Sequence, residues 1–251
     1  MSGQLIPIRN SSAVTGSMFI NNNMNNPHNE RESNILKEFL SGNIPDFLRK
    51  FVGVEVTVGQ NVITYLVSPD YLSIGTDNDY VRMPMNPHTA QAIAEKYDCT
   101  LPTRKMVNDI WHVSINKLAP LPWGPPYDED MLKTHRIGTH NQRIQNQLLG
   151  KDFKVLTSGH KKDVVLTNKL SPNNPLKRVA IYGWIQPNGK PIQDLNPSSH
   201  EDTYEDYSHG IRMIANDVVV NGKPMRIADV FADKQLSALV SDEGILTFTK
   251  Y

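Results

Sequence analysis

Two histidines stand where strands are expected to begin, and each has a carboxylate close by in the sequence. His160 heads the segment HKKDVVLT and is followed by Asp163, whereas His209 heads HGIRMIA and is preceded by Asp206. An imidazole can act as a general base or as a metal ligand, and a neighbouring carboxylate can orient it. We therefore expect His160 and His209 to be catalytic, with Asp163 and Asp206 orienting their rings.

A third histidine extends this pair to a set that could hold zinc. If the strands of His160 and His209 are neighbours, both rings meet at one sheet edge, and His200 could reach them across the preceding loop. Histidines, a carboxylate and an open position for water form a zinc hydrolase site. Zinc is therefore the expected cofactor, with His160, His200 and His209 as metal ligands, although their spacing matches no HExxH motif. Arg212 would hold an anionic substrate group or stabilise developing negative charge.

The loop around His200 also allows two other interpretations. Its acidic side chains could bind calcium, but no glycine interrupts the run, as a calcium loop normally requires. The stretch could equally be a solvated loop in which His209 is half-buried and hydrogen-bonded. The acidic residues concerned are Glu201, Asp202, Glu205 and Asp206.

The single cysteine raises the question of a nucleophile. Cys99 precedes a predicted helix, and His160 heads a predicted strand later in the chain. This order resembles the layout of papain-like and NlpC/P60-type cysteine peptidases, and the resemblance rests on these two residues alone. It implies a cysteine–histidine dyad, whereas a lone cysteine is otherwise an ordinary core residue. One cysteine also excludes an intramolecular disulfide and a cysteine-based zinc site.

Charge and hydropathy exclude several classes of partner. The 251 residues hold 26 lysines and arginines against 26 aspartates and glutamates, so no overall charge attracts nucleic acid or an anionic membrane. Residues 89–111 mimic a helix-turn-helix, but only Arg104 and Lys105 supply charge for phosphates on its second helix. No 18-residue apolar stretch predicts a membrane span, and the N-terminus lacks a signal-peptide pattern. We expect no nucleic acid partner, and a protein that is cytoplasmic or released without a classical signal peptide.

The elements that must position these residues follow a change of composition along the chain. Residues 1–28 end in the asparagine-rich run FINNNMNNPH, which predicts a flexible arm that could join a homo-oligomer. Residues 29–251 are expected to form a single α+β domain, with a sub-division near the proline-rich connector 119–126. Asn29 and Glu32 would form the capping pair of its first helix.

Hydrophobic periodicity predicts the order of elements in this domain. Two β-rich runs, residues 52–58 and 61–67, flank Gly59-Gln60 and predict a hairpin. Helical periodicity then covers residues 87–98, 103–115 and 139–150, and strand patterns return from Lys154. A late helix and a closing strand, GILTFTKY, end the chain. The fold class is therefore α+β, with a small N-terminal β-hairpin sheet, a helical middle and a mainly antiparallel C-terminal sheet.

Together these features predict a hydrolase with a histidine-centred, zinc-dependent site. The mixture of aromatic and polar residues in the C-terminal half suggests a polymer or peptide-like substrate. The alternative is a non-enzymatic structural or interaction protein of an assembly, which would bind its neighbours through the N-terminal arm. The two hypotheses differ in whether His160 and His209 converge in one pocket.

Overall fold

A computed structural model describes residues 6–124, 132–170 and 173–251. Within these ranges the fold is α+β, as predicted from the hydrophobic pattern. The α-helices are α1 (Gly16–Asn22), α2 (His28–Leu40), α3 (Pro87–Lys96), α4 (Arg104–Val113), α5 (Thr134–Gln147) and α6 (Ile227–Ala232). The strands are β1 (Val52–Val58), β2 (Asn61–Val67), β3 (Ser73–Gly75), β4 (Tyr80–Arg82), β5 (Cys99–Thr100), β6 (Asn116–Lys117), β7 (Thr157–Ser158), β8 (Lys162–Val164), β9 (Ile181–Ile185), β10 (Pro191–Gln193), β11 (His209–Gly210), β12 (Ile214–Val220) and β13 (Lys223–Arg226).

The larger sheet combines both ends of the chain. β1 and β2 form the predicted hairpin, which turns at Gly59 with a φ of 60°. β12 pairs antiparallel with β2, and β13 returns along β12 after a turn at Asn221-Gly222. β5 also pairs with β12, so the segment between α3 and α4 is a strand rather than the turn of a helix-turn-helix.

The second sheet carries the histidines singled out from the sequence. Its order is β10-β9-β8-β11, and the β8–β11 pair is parallel, with Lys162 opposite His209. The strands that follow His160 and begin at His209 are therefore neighbours. Gly210 is required here because a Cβ at this position would lie 2.6 Å from the Tyr71 ring and 2.7 Å from the Lys161 Cβ.

The described part of the predicted arm, residues 6–28, packs on the domain instead of extending from it. Thr15 caps α1, and Phe19 and Ile20 are buried in the main core. The prediction of a flexible arm relied on the asparagine-rich composition and did not consider that Phe19 and Ile20 could be buried. The next helix, α2, already begins at His28, and Pro27 occupies the N-cap position, so Asn29 does not cap it.

The predicted start of α5 and the predicted closing strand are also wrong. α5 begins at Thr134 and not near Thr139, whose hydroxyl donates to the His135 carbonyl within the helix. Residues 244–251 form no strand; Phe248 is buried and the Tyr251 hydroxyl donates to the Val165 carbonyl. Alternation therefore reflected side-chain packing without a partner strand.

The proline-rich connector is fixed to α5 where it is described. The Gln147 side-chain amide exchanges two hydrogen bonds with the Ala119 backbone, of 3.0 and 3.1 Å. Residues 125 and 126 of the predicted connector 119–126 lie outside the described residues. Across the described ranges, no helix is both long enough and apolar enough to cross a membrane.

Candidate functional site

A histidine and two glutamates meet between α2 and the loop that leads to β11. His28 and Glu32 are four residues apart on α2, a spacing that puts both on one face of a helix. Glu205 comes from the loop, and one ligand atom from each of the three side chains lies within 4.8 Å of the others. No other trio of histidine, cysteine or acidic side chains in the described ranges meets this distance. We call these three residues the His–Glu–Glu group.

Arg31 orients the Glu205 carboxylate. Its Nη2 donates to Glu205 Oε1 over 2.6 Å, and its Nη1 donates to the Leu132 carbonyl over 2.6 Å. The second oxygen, Oε2, contacts His28 Nε2. Both Arg31 and Glu205 are buried, so the carboxylate is held in one orientation with Oε2 directed to the histidine.

Glu32 is held from the opposite side by the start of α3. Its carboxylate accepts a hydrogen bond from the Thr89 hydroxyl at 2.5 Å and from the Asn86 amide at 3.2 Å. Burial, followed by the charge of Glu205, raises the pKa of Glu32 to about 7. The hydrogen bond to Glu205 is the main cause that raises the pKa of His28. The carboxyl groups of Glu32 and Glu205 are thus close together and poorly solvated. A bound cation would stabilise their ionised forms.

The His–Glu–Glu group borders a cavity of about 470 Å³. His28 and Glu205 line one part of the wall, and His200 and Tyr204 line another. The His200 ring stacks on the Tyr204 ring with centroids 4.0 Å apart. Burial is the first cause that lowers the pKa of His200 below 6.5, so its imidazole is neutral at pH 7 and can accept a proton.

His160 lies elsewhere, in the core, and its carboxylate partner is not Asp163. Its Nε2 is 3.2 Å from Asp70 Oδ1, and its ring packs against the edge of Tyr71. Asp70 in turn accepts hydrogen bonds from Arg82, the shortest of 2.6 Å. Burial lowers the pKa of His160 to about 4 although Asp70 raises it. His160 is therefore a neutral, fully buried ring without access to solvent.

Asp163 and Arg212 are also buried, and their contacts hold the fold. Asp163 Oδ2 accepts a hydrogen bond of 2.8 Å from the Tyr71 hydroxyl, while burial raises the pKa of Asp163 to about 7. The Arg212 guanidinium donates to the Ser68 and Thr157 carbonyls over 2.8 and 2.7 Å. Because these backbone oxygens occupy its donors and the side chain is 1% exposed, Arg212 is not available to an anionic substrate.

His209 and Asp206 are buried, and both contact Tyr204, which lines the cavity. Asp206 accepts hydrogen bonds from the Tyr204 hydroxyl at 3.0 Å and from the Ser208 amide at 2.7 Å. Burial lowers the pKa of His209 to about 4, and neither of its ring nitrogens has a hydrogen-bond partner among the described residues. His209 and Asp206 are thus close, as predicted, but both are buried.

The three histidines predicted to bind zinc are not brought together. His200 and His209 both contact the ring of Tyr204, whereas His160 contacts Asp70 and Tyr71. Although β8 and β11 are neighbours, the chain directs the two buried rings to different partners. Of this trio, His200 alone lines the cavity beside the His–Glu–Glu group.

Cys99 does not have the environment of a nucleophile. It is buried on β5, and its thiol donates to the Tyr97 carbonyl over 3.2 Å. Burial raises the pKa of Cys99 to about 12, so the reactive thiolate is absent at neutral pH. The layout that resembles cysteine peptidases therefore has no counterpart in the site.

Two features of the sequence could have indicated the His–Glu–Glu group. The segment HNERE places a histidine and a glutamate at the helical i, i+4 spacing, but the asparagine-rich composition led us to assign His28 to the arm. Glu205 belongs to the acidic run considered for calcium. No pattern in the sequence predicts that these distant segments meet.

The chain matches no protein-family model, no curated protein and no solved structure in the comparisons made. The chemistry of the site therefore has to be argued from its own atoms. An imidazole and two carboxylates can bind a divalent cation, and the neighbouring cavity holds a neutral histidine that can accept a proton.

Proposed function

We propose that this protein is a metal-dependent hydrolase that cleaves a polymer or peptide-like chain, with its cation bound by His28, Glu32 and Glu205. The observation that supports the proposal is the closeness of the three ligand atoms, all within 4.8 Å, beside a cavity of about 470 Å³. Catalytic zinc sites commonly use three protein ligands of these types and leave a further position open. Two of the three ligands line the cavity, which provides that open side.

The surroundings of the ligands favour a bound cation. The side chains of Glu205 and Arg31 are buried, and Arg31 occupies only one oxygen of the Glu205 carboxylate. Thr89 and Asn86 hold Glu32, as hydrogen-bonded outer partners commonly hold metal ligands. The group is therefore orientated before a cation arrives. Zinc is the cation we expect, because it accepts both nitrogen and oxygen ligands.

His200 and Tyr204, which line the cavity, would assist the reaction. A bound cation supplies polarisation of the scissile carbonyl and a lowered pKa of water. The neutral His200 imidazole removes a proton from the attacking water. In a peptide, the water oxygen forms a bond to the carbonyl carbon, the C–N bond breaks, and the leaving nitrogen takes the proton from His200. Tyr204 positions His200 by stacking on its ring.

The test is hydrolysis of a mixed peptide library by protein depleted of metal and then loaded with zinc. We expect turnover with zinc, none after chelation, and a loss of activity in Glu205→Gln. His200→Gln should bind zinc normally but lose about 100-fold or more in kcat, the usual contribution of a general base. His112→Gln, an exposed change on α4, is the matched control and should retain full activity. Turnover that survives chelation, or no turnover of any peptide by the zinc-loaded protein, would overturn the proposal.

His160 and His209 contact different partners, as the structural alternative expects, so the proposed hydrolase does not use that histidine pair and the two hypotheses now differ in the role of the arm. In the described part of the arm, Phe19 and Ile20 are engaged in the core of their own chain, whereas Ile8 is 89% exposed. If the arm binds a neighbour, Ile8→Ser should reduce the mass measured by light scattering in solution. The hydrolase proposal predicts that the same substitution leaves peptide turnover unchanged.

A further inference from the structure

A second cavity, of about 490 Å³, adjoins the first, and none of the three residues of the His–Glu–Glu group lines it. Arg178 lines both cavities, and the wall passes from Ser198 in the second cavity to Ser199 in the first. The two cavities are therefore adjacent, with His28 and Glu205 in the wall of the first and Arg178 at their junction.

The second cavity has an apolar wall. Leu170, Pro175, Leu176 and Pro197 contribute to it, and Leu176 is 75% exposed. This wall suits an aliphatic or aromatic side chain better than a hydroxyl-rich sugar, because burying hydroxyl groups without partners is unfavourable. A ligand that enters the second cavity should carry an apolar group.

Arg178 supplies a positive charge at the junction. Its backbone is fixed by two hydrogen bonds to the Asn174 side chain, of 2.8 and 2.9 Å, and by a bridge to Glu201. Among the described residues its guanidinium forms no hydrogen bond or ion pair, although Glu201 lines the same cavity. After burial and other charges, Arg178 also contributes to the lowered pKa of His200, which is consistent with a guanidinium near that ring.

We infer that Arg178 binds a terminal carboxylate of the substrate while the wall around Leu176 binds the apolar side chain next to it. Arginine is the side chain best suited to this task, because its planar guanidinium can bind a carboxylate through two parallel hydrogen bonds. The substrate class is therefore peptides with a free C-terminus and an apolar last residue. This inference rests on the proposed function, since it places the scissile bond on the side of the proposed metal ligands.

The reaction would release the last residue of the peptide. Water adds its oxygen to the carbonyl carbon of the preceding residue, and the C–N bond to the last residue breaks. The leaving nitrogen takes a proton, so the products are a free apolar amino acid and a shortened peptide with a new carboxylate. No further reactant is needed.

Binding of small ligands to zinc-loaded protein tests this assignment without requiring turnover. Calorimetry would compare N-acetyl-leucine with N-acetyl-leucinamide, which lacks the carboxylate. We expect the acid to bind about tenfold more tightly or better, as for a charge-assisted hydrogen bond, and the preference to disappear in Arg178→Gln. Lys177→Gln, an exposed change at the adjacent position, is the control and should keep the preference. Equal affinity of wild type for acid and amide would overturn the inference, as would a preference that persists in Arg178→Gln.

A second comparison tests the apolar wall. Leu176→Ser changes an exposed side chain, so it should leave the fold intact while weakening N-acetyl-leucine several-fold more than N-acetyl-alanine, which buries less apolar surface. An equal effect on both ligands, or tighter binding of inorganic phosphate than of N-acetyl-leucine, would contradict a peptide C-terminus. Metal content measured on every sample keeps the two proposals separate. Ligand preference without bound zinc would refute the metal site alone, and bound zinc without ligand preference would refute the Arg178 site alone.

Discussion

In the core, the Asp70 carboxylate accepts hydrogen bonds from Nε and Nη2 of Arg82. The Nε2 atom of His160 lies 3.2 Å from Asp70 Oδ1. Burial opposes ionisation of Asp70, but Arg82 and then His160 lower the pKa of this carboxyl far below its usual value. The pair therefore stays ionised within the interior. Removing one partner would leave a charge that is both buried and uncompensated.

We predict that Asp70→Asn destabilises the protein by about 3–5 kcal/mol, the usual loss when a buried ion pair is broken. Asp46→Asn is the matched control, because Asp46 also pairs with an arginine, Arg49, but is 73% exposed. Its loss should be at most about 1 kcal/mol, as for surface ion pairs. Chemical denaturation of both variants measures the difference. Similar losses would mean that burial of the Asp70–Arg82 pair does not determine its contribution.

For single residues, the sequence indicated which histidines have a carboxylate nearby, but not which carboxylate each histidine contacts. His160 and His209 do begin the segments singled out, and both have carboxylates nearby. The partner of His160 is Asp70, which belongs to a segment far earlier in the chain, so no local pattern could reveal it. His28 and Glu32 were readable from their helical spacing, but their contact with Glu205 depends on the tertiary fold.

Among the elements, α1 shows where composition misleads. Its sequence continues into an asparagine-rich run, yet Phe19 is 2% exposed and lies in the main core. The helix also contacts β3, β4 and α5. The short helix α1 is thus an integral part of the domain. Its buried apolar residues fix the position of the chain just before His28.

We predict that Phe19→Ala costs about 3–5 kcal/mol of unfolding free energy, the usual loss for a buried phenylalanine. Met18→Ala, one position earlier on the same helix, is the control, since Met18 is 49% exposed. It should change stability by no more than about 0.5 kcal/mol, as most surface substitutions do. Thermal unfolding of the two variants measures this. A small effect of Phe19→Ala would support the original prediction of a flexible arm.

Strands that pair with a neighbour in the sequence could be predicted, whereas pairing between distant segments could not. β1 and β2 were correctly bounded because alternation, a glycine turn and adjacent partners all agree. The segment GILTFTKY alternates as well, but it forms no strand, and no strand in the described ranges pairs with it. Pairing between distant segments, such as β2 with β12, is a property of the fold and cannot be read from either segment alone.

For the whole molecule, the chain has no net charge, yet its interior contains several charged side chains. The chain has equal numbers of acidic and basic residues, but several of them are fully buried together with neutral histidines. Burial lowers the pKa of His160 and of His209 to about 4, whereas histidines of the unfolded chain titrate near 6.5. Between these pH values the unfolded chain binds more protons, so acidification favours unfolding. Asp163 acts in the opposite direction, because burial raises its pKa to about 7.

A comparison of variants isolates the contribution of one histidine. We predict that the free energy of unfolding of wild type, relative to His209→Gln, falls on the order of 3 kcal/mol between pH 6.5 and 4. The physical reason is that His209 is neutral when folded and gains a proton on unfolding throughout this range. His112→Gln, at an exposed position, should follow the wild-type curve. Parallel curves for wild type and His209→Gln would show that burial does not shift this imidazole.

The zinc content of the purified protein after loading and dialysis, measured by mass spectrometry, would establish whether the His–Glu–Glu group binds a cation. We predict one equivalent in wild type, none in His28→Gln or Glu205→Gln, and one equivalent in His209→Gln, since His209 lies outside the His–Glu–Glu group. Circular dichroism of each variant would establish that it is folded. Absence of zinc from wild type, or full retention by folded Glu205→Gln, would contradict a metal centre formed by His28, Glu32 and Glu205.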